Sequence, residues 1–227
     1  HGAEQEPWTD VRMDGGVHVE LDGGGRLDAG SVTLKIVERP GAKGAPVAGA
    51  NEFAARRRLE RMTADGEVRY EGKDAEGALL TAAAPRLLAG FPATGERSLL
   101  LTGRSLVTWR GELAFPGERP VDRIVRASAS ESLLFGPNDE SPDGALVDLV
   151  GTARVECGRL PVDTTPQRIA ADRITMRMRR RGLPPAPLAP TTTPQRAHRL
   201  PKSELLATSF AATGGVALEG PRLSGAA

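Results

Sequence analysis

Several features that reveal function in other proteins are scarce in this sequence. Cysteine occurs once, at Cys157, so no disulfide can form within the chain and no disulfide framework indicates a compartment. No run of eighteen apolar residues predicts a membrane-spanning helix. Basic and acidic residues, 30 against 29, nearly cancel, so no net field attracts nucleic acid and we expect no nucleic-acid partner.

The chain is also poor in the residues that fill helical cores and rich in those that form turns. Aromatic residues make up only 4% of the 227 residues, against 27 glycines and 18 prolines. This composition favours many short strands joined by turns, and it predicts an all-β protein. The chain begins at His1 and lacks a signal segment at its start, so we expect it to be a portion of a longer protein.

A short pattern beginning with glycine recurs along the chain. It reads glycine, any residue, valine, any residue, apolar residue, glutamate, and alternation places Val68 and Tyr70 on one face of a strand and Arg69 and Glu71 on the other. Glycine at its first position suits a turn that needs positive φ. Three copies and a weaker fourth are found around Gly15, Gly66, Gly214 and Gly151.

A second pattern follows these copies, with a small residue between apolar positions. Its small central residue suits a strand that bends. It occupies residues 27–34, 80–87 and 169–176, and a fourth copy begins at residues 223–225. Further strands are predicted at residues 98–102, 106–109 and 145–150, and insertions at 40–50, 115–120, 136–144 and 183–201. Only residues 51–62 have a helical pattern, and the arginines at 56–58 could equally precede a strand.

Together the two patterns resemble the repeats of the LptA/OstA family, which includes LptC and the N-terminal domain of LptD. Residues 64–68 and 212–216 resemble its first strand, and residues 169–174 resemble its second. The resemblance implies an antiparallel β-jellyroll or folded-over sheet (a β-taco) in the periplasm. It implies binding of lipopolysaccharide or another acylated lipid, and edge-to-edge stacking with other β-jellyroll proteins of the cell envelope. The expected divisions are a β-repeat region at 1–182, a Pro/Thr-rich linker at 183–202, and a truncated further repeat at 203–227.

A lipid groove requires an apolar lining and no catalytic group, so the candidate residues are the inward positions of alternating strands. An ordinary packed core would use the same positions, and both interpretations stay open. The candidates are Val68, Tyr70, Leu99, Leu101, Val107, Trp109, Ile174, Met176 and Met178.

Arginines follow or alternate with the last two methionines of this set. Guanidinium groups at the rim of a groove can bind lipid phosphates, whereas on an outer face they add solubility and discourage pairing at sheet edges. The candidate rim cations are Arg177, Arg179 and Arg180.

The sequence contains no motif that indicates an enzyme. His18 has no nearby set of metal ligands, and Cys157 has neither a second cysteine at C-x-x-C spacing nor a neighbouring histidine. We therefore expect no catalytic residues, no metal and no cofactor. Two alternatives remain, namely a structural or interaction β-repeat scaffold of the envelope and a carbohydrate-active β-repeat enzyme whose carboxylates are distant in sequence.

Overall fold

A computed structural model describes residues 8–21, 25–38, 57–73, 77–92, 98–113, 121–138, 141–159, 166–180, 205–220 and 225–226. Within these residues the protein is all-β, and every strand belongs to one antiparallel sheet, as the composition and the alternation predict. The strands are β1 (Trp8–Leu21), β2 (Gly25–Glu38), β3 (Arg57–Lys73), β4 (Leu79–Gly90), β5 (Ser98–Thr102), β6 (Ser105–Leu113), β7 (Val121–Ala129), β8 (Ser132–Asn138), β9 (Ser141–Arg159), β10 (Gln167–Arg180), β11 (Leu205–Thr213), β12 (Ala217–Glu219) and β13 (Gly225–Ala226).

Four long strands, β1 to β4, are followed in this sheet by two successive pairs of shorter strands, β5 with β6 and β8 with β7, and then by the long strands β9 and β10. The long strand β4 pairs with β5 along one part and with β6 along the other, and β9 pairs with β8 and β7 in the same way. β10 likewise pairs with both β11 and β12. Each short pair therefore takes the place of one long strand. The sheet thus has two halves, the β6–β7 half-sheet and the β5–β8 half-sheet, and each long strand runs through both.

The division between the half-sheets is a row of irregularities, here called the bulge line. In β3 the register shifts between Asp65 and Val68, and in β10 it shifts between Ala171 and Arg173. Bulges displace the ladder and increase local twist, and here they are aligned from strand to strand across the sheet. The bulge line passes through Gly15-Gly16, Ala29-Gly30, Gly66-Glu67, Pro85, Gly103-Arg104, Ser130-Glu131, Gly151-Thr152, Asp172 and Gly214-Gly215.

The recurring glycines lie on this line. Gly15, Gly66 and Gly151 are inside long strands, which corrects the sequence interpretation of them as turns between strands, whereas Gly214 does lie between two strands, β11 and β12. Gly66 has φ +82° in the middle of β3, and Gly151 has φ +76° in the middle of β9. The sequence could not separate the two roles because both need positive φ. Gly103, with φ +84°, lies on the same line and is a further copy of the glycine position that the sequence pattern does not reveal.

Three further expectations need correction or qualification. The second pattern in β4 begins two residues later than predicted, at Ala82 and not at Leu80. Its first residue in β2, Leu27, pairs with Tyr70, and the residue that pairs with Tyr70 on the other side is Ala82. Residues 57–62 belong to β3 and are not helical. Most of the insertion predicted at 136–144 is strand, in β8 and β9.

Other expectations either agree with the fold or cannot be compared with it. The strands predicted at 98–102, 106–109 and 145–150 are confirmed in β5, β6 and β9, and β11 to β13 continue the same sheet. The insertions predicted at 40–50, 115–120 and 183–201, with the linker 183–202, lie outside the described residues.

One face of the sheet, here called the inner face, carries the buried core. Its members come from both half-sheets and form a single cluster. Side chains alternate between this inner face and an outer face, which bears most of the charged groups. No helix able to span a membrane occurs in the described part of the chain.

Candidate functional site

The inner face of the β5–β8 half-sheet begins, beside the bulge line, with a row of cross-strand neighbours that we call the leucine ladder. Its central side chains are sealed from solvent, Leu101, Leu149 and Ile174 being 0% exposed. Such burial on a sheet needs a facing layer in addition to the cross-strand neighbours. The ladder runs through Met13, Val32, Ala64, Leu87, Leu101, Leu133, Leu149, Ile174 and Ala212.

One position farther from the bulge line is a second apolar row, the phenylalanine ladder. Every member is apolar, but burial varies along the row: Met62 and Ala89 are buried, whereas Val11 is 39%, Phe135 38% and Phe210 46% exposed. The exposed members leave apolar surface available to an apolar ligand or partner. The ladder runs through Val11, Leu34, Met62, Ala89, Leu99, Phe135, Val147, Met176 and Phe210.

The β6–β7 half-sheet repeats this arrangement with smaller side chains. Next to the bulge line its buried residues are small, which permits close approach of a facing surface: Ala29, Val68, Ala84, Ser105, Ala129, Ala153 and Ala171. The following row, the tyrosine ladder, is mostly half-buried and runs through Val19, Leu27, Tyr70, Ala82, Val107, Ala127, Val155, Ile169 and Leu218.

The predicted lining residues therefore fall into three groups. Val68, Leu101 and Ile174 are sealed core beside the bulge line and offer no surface to a ligand. The half-buried group lies farther from that line and keeps exposed surface: Tyr70, Leu99, Val107, Trp109 and Met176. The backbone of Met178 pairs with Ala145 and Ala207, and its side chain lies outside the description.

The predicted rim cations are less informative. Alternation along β10 places Arg177 on the outer face, opposite the inward Met176, with Leu146 and Ser209 as its cross-strand neighbours. Arg179 and Arg180 are described only through their backbone pairing, both with β11 and Arg179 also with Gly144 of β9. Met176 and Arg177 take opposite faces of β10, as alternation along a strand requires.

Charged side chains on the outer face form ion pairs between and along the strands of the sheet. Arg168 Nε lies 3.0 Å from Glu156 Oε1, and its Nη1 lies 3.6 Å from Glu219 Oε2. His18 contacts Asp28, whose other carboxylate oxygen accepts from Arg26 Nε at 3.0 Å. The Arg26 and His18 hydrogen bonds hold the pKa of Asp28 below its ordinary value.

The ion pair with the most buried carboxylate among the described residues joins β9 to β10, the Asp148 side chain being 12% exposed. Asp148 accepts from Arg173 Nε at 2.9 Å and from Arg173 Nη2 at 2.7 Å, a bidentate geometry, and from the Thr175 hydroxyl at 2.8 Å. The Arg173 hydrogen bonds lower the pKa of the Asp148 carboxyl, although burial opposes them. This pair fixes strand register beside the bulge line.

Two shallow depressions lie on the outer face of the β6–β7 half-sheet. The larger, of about 300 Å³, is lined by Arg26, Asp28, Arg69, Tyr70, Glu71, Thr81, Ala82, Ala83 and Leu106. The smaller, of about 200 Å³, is lined by Arg154, Arg168, Ala170, Ala217 and Glu219. Only the larger includes members of an apolar row, Tyr70 and Ala82 of the tyrosine ladder, and its other lining residues are mostly polar or charged. Among the described residues, no group of three or more His, Cys, Asp or Glu side chains is placed to hold a metal ion.

Comparisons with known proteins identify no relative of this chain. No protein-family model, no curated protein and no solved structure matches the chain.

Proposed function

We propose that the sheet folds over along the bulge line, as a β-taco does, and that the resulting trough carries the acyl chains of a lipid. The observation that supports this most is the gradient of burial on the inner face. Central side chains beside the bulge line are sealed, as at Leu101, whereas Phe135 in the middle of the next row is 38% exposed, although Met62 and Ala89 of that row are buried. A folded sheet whose halves diverge from a closed base accounts for this gradient.

Apolar continuity supports a ligand made of hydrocarbon chains. The leucine, phenylalanine and tyrosine ladders contain no charged side chain across nine strands. Strands lie about 4.8 Å apart, so nine of them extend for roughly 38 Å. Each buried methylene of an acyl chain contributes about 0.8 kcal/mol, and such a row has room for chains of common length.

The proposed role is that of a non-enzymatic periplasmic module that binds lipopolysaccharide, or another acylated lipid, during its transport to the outer membrane. It retains the partners that the resemblance implies, other β-jellyroll proteins of the envelope stacked edge to edge. The 14-residue strand β1 pairs only with β2 among the described strands, so its other edge is available for such pairing.

Photo-crosslinking can test the proposal with controls on the same strands. A photoreactive amino acid at Trp109 or Tyr70 faces inward, and at Thr108 or Arg69 it faces outward. After incubation with lipopolysaccharide, crosslinked lipid is expected from the inward positions only, and mass spectrometry measures it. Equal crosslinking from both faces, or none from either, contradicts a lipid-binding inner face.

A second candidate function, an interaction scaffold, is favoured by an apolar row on the outer face. Leu88, Leu100 and Leu134 are direct cross-strand neighbours there, and Leu146 lies close by on β9. The β5–β8 half-sheet is thus apolar on both faces in its central strands, as sheets covered on both sides are. Leu100→Lys would abolish a scaffold contact on this face and leave lipid retention intact, and pull-down from envelope extracts with lipid analysis separates the two functions.

A further inference from the structure

One arginine interrupts the apolar inner face. Arg123 alternates along β7 with the inward residues Val125, Ala127 and Ala129, and it is only 5% exposed. Arginine is rarely buried to this extent unless it is paired, because desolvation of its charge is costly. The position lies at the end of β7 farthest from the bulge line, where the proposed trough opens.

A second arginine lies directly opposite the first. Arg123 and Arg159 are cross-strand partners of β7 and β9, and alternation from the buried Ala153 turns Arg159 to the inner face as well. Like charges at opposed positions destabilise a sheet unless negative charge accompanies them. Both residues also take part in other interactions, so what distinguishes them is their position and not an unused charge.

An indole completes the group. Gly111 is the partner of Arg123 on β6, and a Cβ there would lie 2.6 Å from Ala78 Cβ and 2.8 Å from Trp109 Cζ2. The Trp109 ring therefore covers Gly111, the cross-strand partner of Arg123. Indole suits the boundary between an apolar and a wet region, because its body is apolar and its N–H donates.

We infer that Arg123 and Arg159, together with Trp109, bind the oxyanion of an amphiphile, a phosphate or similar group, at the open edge of the β6–β7 half-sheet. The inference rests on the proposed function, since the acyl chains of the same ligand lie on the tyrosine ladder. Forked guanidinium groups bind phosphate oxygens in pairs, and a partly buried site strengthens these bonds.

The test compares two lipids with identical acyl chains, phosphatidic acid and diacylglycerol, titrated into the full chain in mixed detergent micelles. Arg159→Gln is expected to weaken phosphatidic acid binding about tenfold, the usual effect of removing a charged hydrogen bond, and to leave diacylglycerol binding unchanged. Arg154→Gln, on the outer face of the same strand, is the matched control and is expected to change neither. Arg123→Lys tests the buried position while keeping its charge, with circular dichroism to verify folding.

Three results would overturn the inference. The first is an unchanged affinity of Arg159→Gln for phosphatidic acid, and the second is an equal loss in Arg154→Gln. The third is binding of inorganic phosphate as tight as that of phosphatidic acid, which would assign the site to a free anion. If the native protein binds neither lipid, the proposed function itself fails, whereas loss of the preference for phosphatidic acid alone concerns only the headgroup site.

Discussion

Replacement of Leu101 by alanine measures whether the base of the inner face is sealed. Leu101 is 0% exposed and lies between Leu87 and Leu133 in the leucine ladder. Removing three buried carbons costs about 2.4 kcal/mol at roughly 0.8 kcal/mol each. The cavity left behind raises the total to about 4 kcal/mol. For a chain of this size the melting temperature should fall by roughly 8 to 16 °C.

The neighbouring Leu100 provides the matched control, because it has the same side chain on the same strand and lies half-buried on the outer face. Leu100→Ala should cost only about 1 kcal/mol, in proportion to the smaller area that it buries. Urea unfolding followed by circular dichroism gives both free energies. A cost below about 1.5 kcal/mol for Leu101→Ala, or equal costs for the two variants, would mean that solvent reaches the base and that the sealed ladder is incorrect.

Three further predictions concern the bulge line and its ion pair. Thr152 has φ +43°, which a β-branched residue adopts at a cost, so Thr152→Gly should stabilise the protein by about 1 kcal/mol in urea unfolding. A destabilised variant would refute this strain. Gly66→Ala should destabilise more than Gly77→Ala, because both have positive φ but only at Gly66 does a new Cβ meet backbone, Gly30 Cα at 3.3 Å. Because its folded pKa is lowered, Asp148 stabilises the fold above its ordinary pKa of 3.8, and this contribution is lost as pH falls through the lower folded value. Asp148→Asn should therefore weaken the pH dependence of thermal stability below about pH 4, and an unchanged dependence would contradict the role of the pair.

Strand identity and facing could be predicted from the sequence because alternation is a local property. Val68 and Tyr70 face inward and Arg69 and Glu71 outward, as their spacing requires. Residues 98–102 are a strand for the same reason. Pairing between strands, in contrast, depends on contacts distant in sequence. For this reason the sequence predicts the start of the second pattern in β4 two residues before its actual position.

The copy at Gly103 was missed because Ser105 stands there where Val68 stands in β3. A small polar residue broke the apolar pattern, although it is 1% exposed and its hydroxyl donates to the Gly103 carbonyl oxygen at 2.8 Å. Arg123 was missed for a related reason. Residues 121–125 carry apolar side chains at 121, 124 and 125, so their spacing does not fix which face the arginine takes.

The arrangement of the bulge line determines how such a protein can change in length. Glycine with positive φ marks alternate members of the series of long strands and strand pairs, at Gly15, Gly66, Gly103, Gly151 and Gly214. Loss of one strand without such a glycine would bring two glycine bulges side by side, and loss of one that has it would make two glycine-free strands neighbours. A change of two strands, about 10 Å along the sheet, keeps the alternation, so longer or shorter homologues should differ by whole pairs.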